Sequence, residues 1–103
     1  MLFRSNSQAQ VAAFEAALTQ LDWPYLQAHY SKISALAGGN AAASRLKAYY
    51  LMRQRQYGPA LTAAQQAIAL KPNQGSAYHL LYQIYARLAD QALWQSPPAG
   101  LEK

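Results

Sequence analysis

A chain of 103 residues without a cysteine is long enough for one domain with a modest core, and it excludes a disulfide framework or a thiolate metal site. Apolar residues make up 52% and charged ones only 13%, alanine and glutamine are abundant, and strand signals are nearly absent, which points to closely packed helices. Nine Lys and Arg against four Asp and Glu leave a net charge of +5, which favours acidic peptides, nucleic acid or anionic lipid as partners unless the cations simply solvate a helix face.

In chain order, the opening MLFRSNSQAQ turns polar after three residues and lacks the apolar core of a secretory signal. No later run is long enough for a membrane span, so the expected location is cytoplasmic. Ser5 to Gln20 reads as a first helix capped by Ser5 or Ser7, with Val11, Phe14, Ala17, Leu18 and Leu21 on its buried side. Asp22-Trp23-Pro24 is a turn and a new start, and Leu26, Tyr30, Ile33 and Leu36 continue at helical spacing. Gly38-Gly39-Asn40 should end that helix through a left-handed glycine.

The third pattern places Leu46, Ala48, Tyr49, Leu51 and Met52 on one broad apolar face. Tyr57-Gly58-Pro59 should break it, with Gly58 in the turn and Pro59 pre-set for the first position of a fourth helix. That fourth helix carries Ala60, Ala64 and Ala67 on a stripe beside Leu61, Ile68 and Leu70, and Pro72 stops it. Two helices joined this tightly lie antiparallel, and the alanines let their backbones approach. Gly75-Ser76 opens a fifth helix that carries Tyr78, Leu81, Tyr82 and Tyr85 and runs to about Leu93 or Trp94. Ser96-Pro97-Pro98-Ala99-Gly100 stops it, and residues 96–103 are expected to be a disordered tail.

Residues 41–74 resemble one full tetratricopeptide repeat, a unit of 34 residues. The resemblance rests on Ala48 and Leu51 in the first helix, Tyr57 before the turn, and Ala60, Ala67, Leu70, Pro72 and Asn73 after it. Departures are Ser44 where the family prefers a large residue, Lys47 where it prefers leucine, and Ala64 where it prefers an aromatic. Moving back by one repeat length puts Trp23 under Tyr57, Leu26 under Ala60, Ile33 under Ala67 and Leu36 under Leu70. Phe14 and Leu26 then replace the alanines at 48 and 60, so residues 6–40 resemble a degenerate repeat with wider helix spacing. The expected fold is all-α: tandem antiparallel hairpins of five helices in a tetratricopeptide-like superhelix over residues 1–95, closed by a single helix at 75–95.

Little in the sequence is arranged for catalysis. His29 and His79 lie fifty residues apart without a carboxylate at triad or metal spacing, and Glu15, Asp22, Asp90 and Glu102 form no close pair. The only Gly-Gly lacks the cradle and the lysine of a phosphate loop. No enzyme activity, cofactor or metal is expected. A helix-turn-helix reading of 41–70 is weak, because the helix after the turn has no cation before Lys71.

In the resembled family the first helices of successive repeats line a concave groove that holds peptides. Carried onto this chain, the groove positions are Arg45, Tyr49, Met52 and Arg53, then His79, Gln83 and Arg87, with Val11, Glu15 and Leu18 from the first helix. Helical spacing independently puts the members of each set on one face. They make a basic, adaptable surface suited to an acidic protein or peptide. The family's carboxylate clamp for chaperone tails is missing, since its places hold Val11, Glu15, Tyr49, Ser76 and Leu80. The implied function is a protein-interaction, scaffold or chaperone-like module; the alternative is a basic helical nucleic-acid binder. Tyr78, Tyr82 and Tyr85 give the closing helix a second apolar face, expected to pair with another copy or a partner helix unless Trp94 and residues 97–101 fold back over it.

Overall fold

The computed structural model describes residues 6–95, with side-chain surroundings for residues 8–93. Five α-helices succeed one another: α1 (Asn6–Gln20), α2 (Trp23–Leu36), α3 (Ala41–Arg53), α4 (Tyr57–Leu70) and α5 (Gly75–Gln95). No strand occurs among the described residues, and the fold is all-α, built of antiparallel hairpins as the periodicity predicts. Among them, too, no helix is long and apolar enough to cross a membrane. The Ser5 cap, the side chain of Trp94 and the expected tail at 96–103 lie outside the described residues.

The helix ends show how the chain folds back. Two starts are capped by side chains: the Asp22 carboxylate accepts from the Tyr25 amide at 3.3 Å, and the Asn40 carbonyl oxygen accepts from the Ala43 amide at 3.0 Å. The stops differ from the glycine-based expectation. Gly38, Gly39, Gly58 and Gly75 adopt no left-handed backbone, whereas Leu21 and Arg55 do, with φ of 57° and 64°. At each of these two residues the chain makes a paired stop. Leu21 N–H donates to Leu18 and Asp22 N–H to Ala17, as Arg55 N–H donates to Met52 and Gln56 N–H to Leu51. The central turn is therefore at Gln54–Gln56, and Gly58 and Pro59 are already in the first turn of α4, where a proline costs no hydrogen bond. Ser76 likewise sits inside its helix, and Ser7 falls within the span of α1.

These features recur at one interval. Helices α2 and α4 start and end 34 residues apart, as do α3 and α5 at their starts, and the left-handed stops at Leu21 and Arg55. Buried positions keep the same step: Phe14 and Ala48, Leu26 and Ala60, Ile33 and Ala67, Ala43 and Ala77, Leu46 and Leu80.

Packing divides the helices into two layers. Helix α3 touches both α1 and α5, while α2 and α4 touch only their neighbours in sequence and not each other. One core cluster joins the first hairpin to α3 through Phe14, Leu18, Leu26, Ile33, Leu46 and Tyr50. A second, built on Ala48, Ala60, Ala63 and Ala64 with Leu51, Met52, Leu80 and Ile84, joins α3, α4 and α5. The α3–α4 contact is the most extensive among the described helices, because alanine on both sides lets the backbones close up. The two largest departures from the expected core are Leu21 and Leu70, which are 46% and 42% exposed at helix ends.

Ser44 is fully buried, and its hydroxyl donates to the Ala37 carbonyl at the end of α2. The last carbonyls of a helix have no partner within it, so this bond satisfies one of them and ties the two hairpins together. A large residue here would have no room, which accounts physically for the small side chain.

A groove along α3 with a basic end

The stripe Arg45, Tyr49, Met52 and Arg53 lies along α3, the helix with a neighbour on either side. Two cavities open on it. The first, of about 190 Å³, is lined by Glu15, Leu18 and Thr19 of α1 and by Arg45, Leu46 and Tyr49 of α3. The second, of about 210 Å³, is lined by Trp23, Met52, Arg53, Arg55, Tyr57 and Arg87. Four helices and one turn contribute to it, so its shape depends on both hairpins and the closing helix being in place.

The two cavities differ in charge. In the first, the Arg45 guanidinium meets the Glu15 carboxylate at 3.0 Å, and the Arg45 Nε is buried without a hydrogen-bond partner. That arginine is locally neutralised and anchored between α1 and α3. In the second, Arg53, Arg55 and Arg87 are all exposed, none has a carboxylate within ion-pair distance among the described residues, and no carboxylate lines the wall. Met52, 7% exposed, and the half-buried Trp23 and Tyr57 supply the apolar part of its lining.

The sequence-predicted site residues thus separate. Arg45 and Tyr49 sit with Glu15 and Leu18 in the first cavity, and Met52, Arg53 and Arg87 come together in the second. His79 and Gln83 are exposed on α5, two turns and one turn before Arg87, and line neither cavity. Val11 packs against the first core cluster. Arg55, Trp23 and Tyr57 are not among the expected groove residues. The density of cations between Arg45 and Arg55 is a visible signal for Arg55; its backbone conformation belongs to the left-handed turn, which spacing along a helix does not show.

Nearby aromatics stiffen the first hairpin. Tyr50 stacks on Tyr30 at 4.6 Å between ring centroids and meets Phe14 and Trp23 at 6.0 and 6.3 Å. Burial pushes the Tyr30 phenol above its ordinary range; a hydrogen bond with Ser34 opposes this and the neighbouring Tyr50 adds to it. Among the described residues no group of three or more His, Asp or Glu side chains is placed to hold a metal ion.

On α5, Tyr78, Tyr82 and Tyr85 are 38%, 72% and 47% exposed. Counted by the 34-residue interval they occupy the places of Ser44, Ala48 and Leu51, which are buried in α3. In α3, Ala48 and Leu51 lie in the cluster shared with the antiparallel helix that comes next, while Ser44 meets the end of α2; no described helix comes after α5. Comparison with protein-family models, curated proteins and solved structures returns no match for this chain.

Proposed function

We propose that the chain is a non-catalytic protein-interaction module of the tetratricopeptide-repeat type, acting as a scaffold or chaperone-like holder in the cytoplasm without a cofactor. It holds a peptide or helix of an acidic partner along α3. The observation that carries this reading is the pair of cavities on one stripe of α3, apolar and neutralised at one end and bearing three unpaired guanidinium groups at the other. A segment lying there meets adaptable apolar contacts at Tyr49 and Met52 and long-range attraction from the arginines.

The test is binding of an acidic peptide pool and of random-sequence duplex DNA, each across a salt series, to the wild type and to an Arg53→Glu, Arg87→Glu variant. Peptide binding that the variant loses and that weakens with salt supports the module. DNA binding that is tighter than peptide binding and falls steeply with salt favours the basic nucleic-acid binder instead.

A second contact surface belongs to the same reading. The uncovered face of α5 is shaped for an antiparallel helix, and the proposed occupant is α5 of a second copy.

A further inference from the structure

We infer that the cleft formed by Arg53, Arg55 and Arg87 recognises a single phosphate monoester dianion, presented as a phosphorylated side chain of the partner segment. This rests on the groove reading above and names the chemistry of its basic end. One carboxylate is satisfied by one forked guanidinium, so three unpaired ones around a single cavity exceed what an Asp or Glu side chain needs. A phosphate monoester offers three acceptor oxygens and close to two negative charges at neutral pH, which matches three guanidinium donors. The cleft, of about 210 Å³, sets these cations beside Trp23, Tyr57 and Met52, so the segment that carries the anion meets apolar side chains next to it.

Two observations separate this from general basicity. The first is convergence. These cations come from the end of α3, the turn after it and the middle of α5, and they line one cavity. A polyanion would call for cations strung along a surface; Arg45, the next arginine along α3, is already neutralised by Glu15. The second is the backbone of Arg55. Its φ of 64° lies in the region where glycine is at ease and a long side chain is not. The equivalent stop at Leu21 shows that the turn geometry itself belongs to the fold. What is particular to the second turn is that the strained place carries an arginine that lines the cleft.

The test uses the whole chain and three probes: a degenerate peptide pool with one central phosphoserine, the same pool with glutamate there, and a single-stranded oligonucleotide. The side-chain Nε–H resonances of Arg53, Arg55 and Arg87 are monitored during each titration. The expected result is that the phosphoserine pool shifts all three and binds about tenfold or more tightly than the glutamate pool. Arg53→Gln and Arg87→Gln should each weaken it by about ten- to a hundredfold. Arg55→Gly should weaken binding comparably while raising the thermal midpoint, which a merely structural arginine would not do. Equal binding of the two pools, lost on Arg53→Gln, would overturn the phosphate assignment and leave the acidic groove standing. Binding of neither pool, or tighter binding of the oligonucleotide through the same arginines, would overturn both.

Discussion

Three residues show how much of this molecule is decided by single side chains. Ser44 is buried and donates to the Ala37 carbonyl, so Ser44→Ala should cost about 1–3 kcal/mol by orphaning a buried acceptor, read as a lower urea midpoint with an unchanged slope. Arg55 holds a left-handed turn, and replacing it by glycine should stabilise the fold by about 0.5–1 kcal/mol in thermal unfolding, part of the relief being offset by the freedom glycine has in the unfolded chain. Tyr30 gives a pH effect of definite sign. Its phenol is harder to ionise in the folded chain than in the unfolded one, so the unfolded state binds fewer protons at high pH. The stability it contributes is complete below the ordinary tyrosine range and declines as pH rises through its raised value. Tyr30→Phe should therefore flatten the fall in stability above about pH 10, checked by urea titrations across that range. None of the three effects is visible in composition. In the sequence Ser44 stands out only as a small residue at a place that suits a large one. Its size is set by a contact with the end of the preceding helix, across a turn whose path no local pattern contains.

Helices and their pairing are the most legible part of the chain, and the turns the least. Period and breakers together locate α2 and α4 to within a residue or two, since Asp22 and Pro24 mark the start of α2 and Pro72 follows the end of α4. Residue type misplaces the stops because it points to glycine, whereas here Leu21 and Arg55 take the left-handed place and the glycines do not. The span of α5 is legible by contrast: it is described to Gln95, as the expected closing helix at 75–95 has it, past the point at which α3 turns. Packing between elements yields a paired prediction, because one repeat place is filled in opposite ways in the two hairpins. Ala60 and Ala48 are fully buried in one cluster, so Ala60→Leu should cost about 1–3 kcal/mol through overpacking. Leu26, at the same place one repeat earlier, is fully buried in the cluster that holds Phe14, and Leu26→Ala should cost about 2–5 kcal/mol through the cavity it leaves. Thermal midpoints of both variants check the pair; a tolerated Ala60→Leu would mean that α3 and α4 have slack which complete burial of both alanines argues against.

At the scale of the whole molecule, the described helices form a stack in which the last one has a face that no other described helix covers. Each first helix is covered on one side by the helix after it, and α5 has no such successor among the described residues. Its bare side carries Tyr78, Tyr82, Tyr85, Ala89 and Ala92, all exposed and spaced by four and three residues in alternation. That spacing keeps a seam on one side of two helices that wind about each other. Alanine at the buried place in α3 becomes Tyr82 here, so a helix docking on α5 sits farther out than α4 sits from α3. A second copy meets these demands by symmetry, because a two-fold axis sets the same stripe against itself. The expected outcome in sedimentation is a concentration-dependent dimer for the wild type and a monomer for Tyr82→Glu, Tyr85→Glu, with the α-helical spectrum retained. A chain cut after Gln95 should still dimerise, since the seam ends within α5. Wild type that stays monomeric at every concentration would rule out the self-pairing, and recovery of dimer only on cutting after Gln95 would mean that the residues beyond it occupy the face instead.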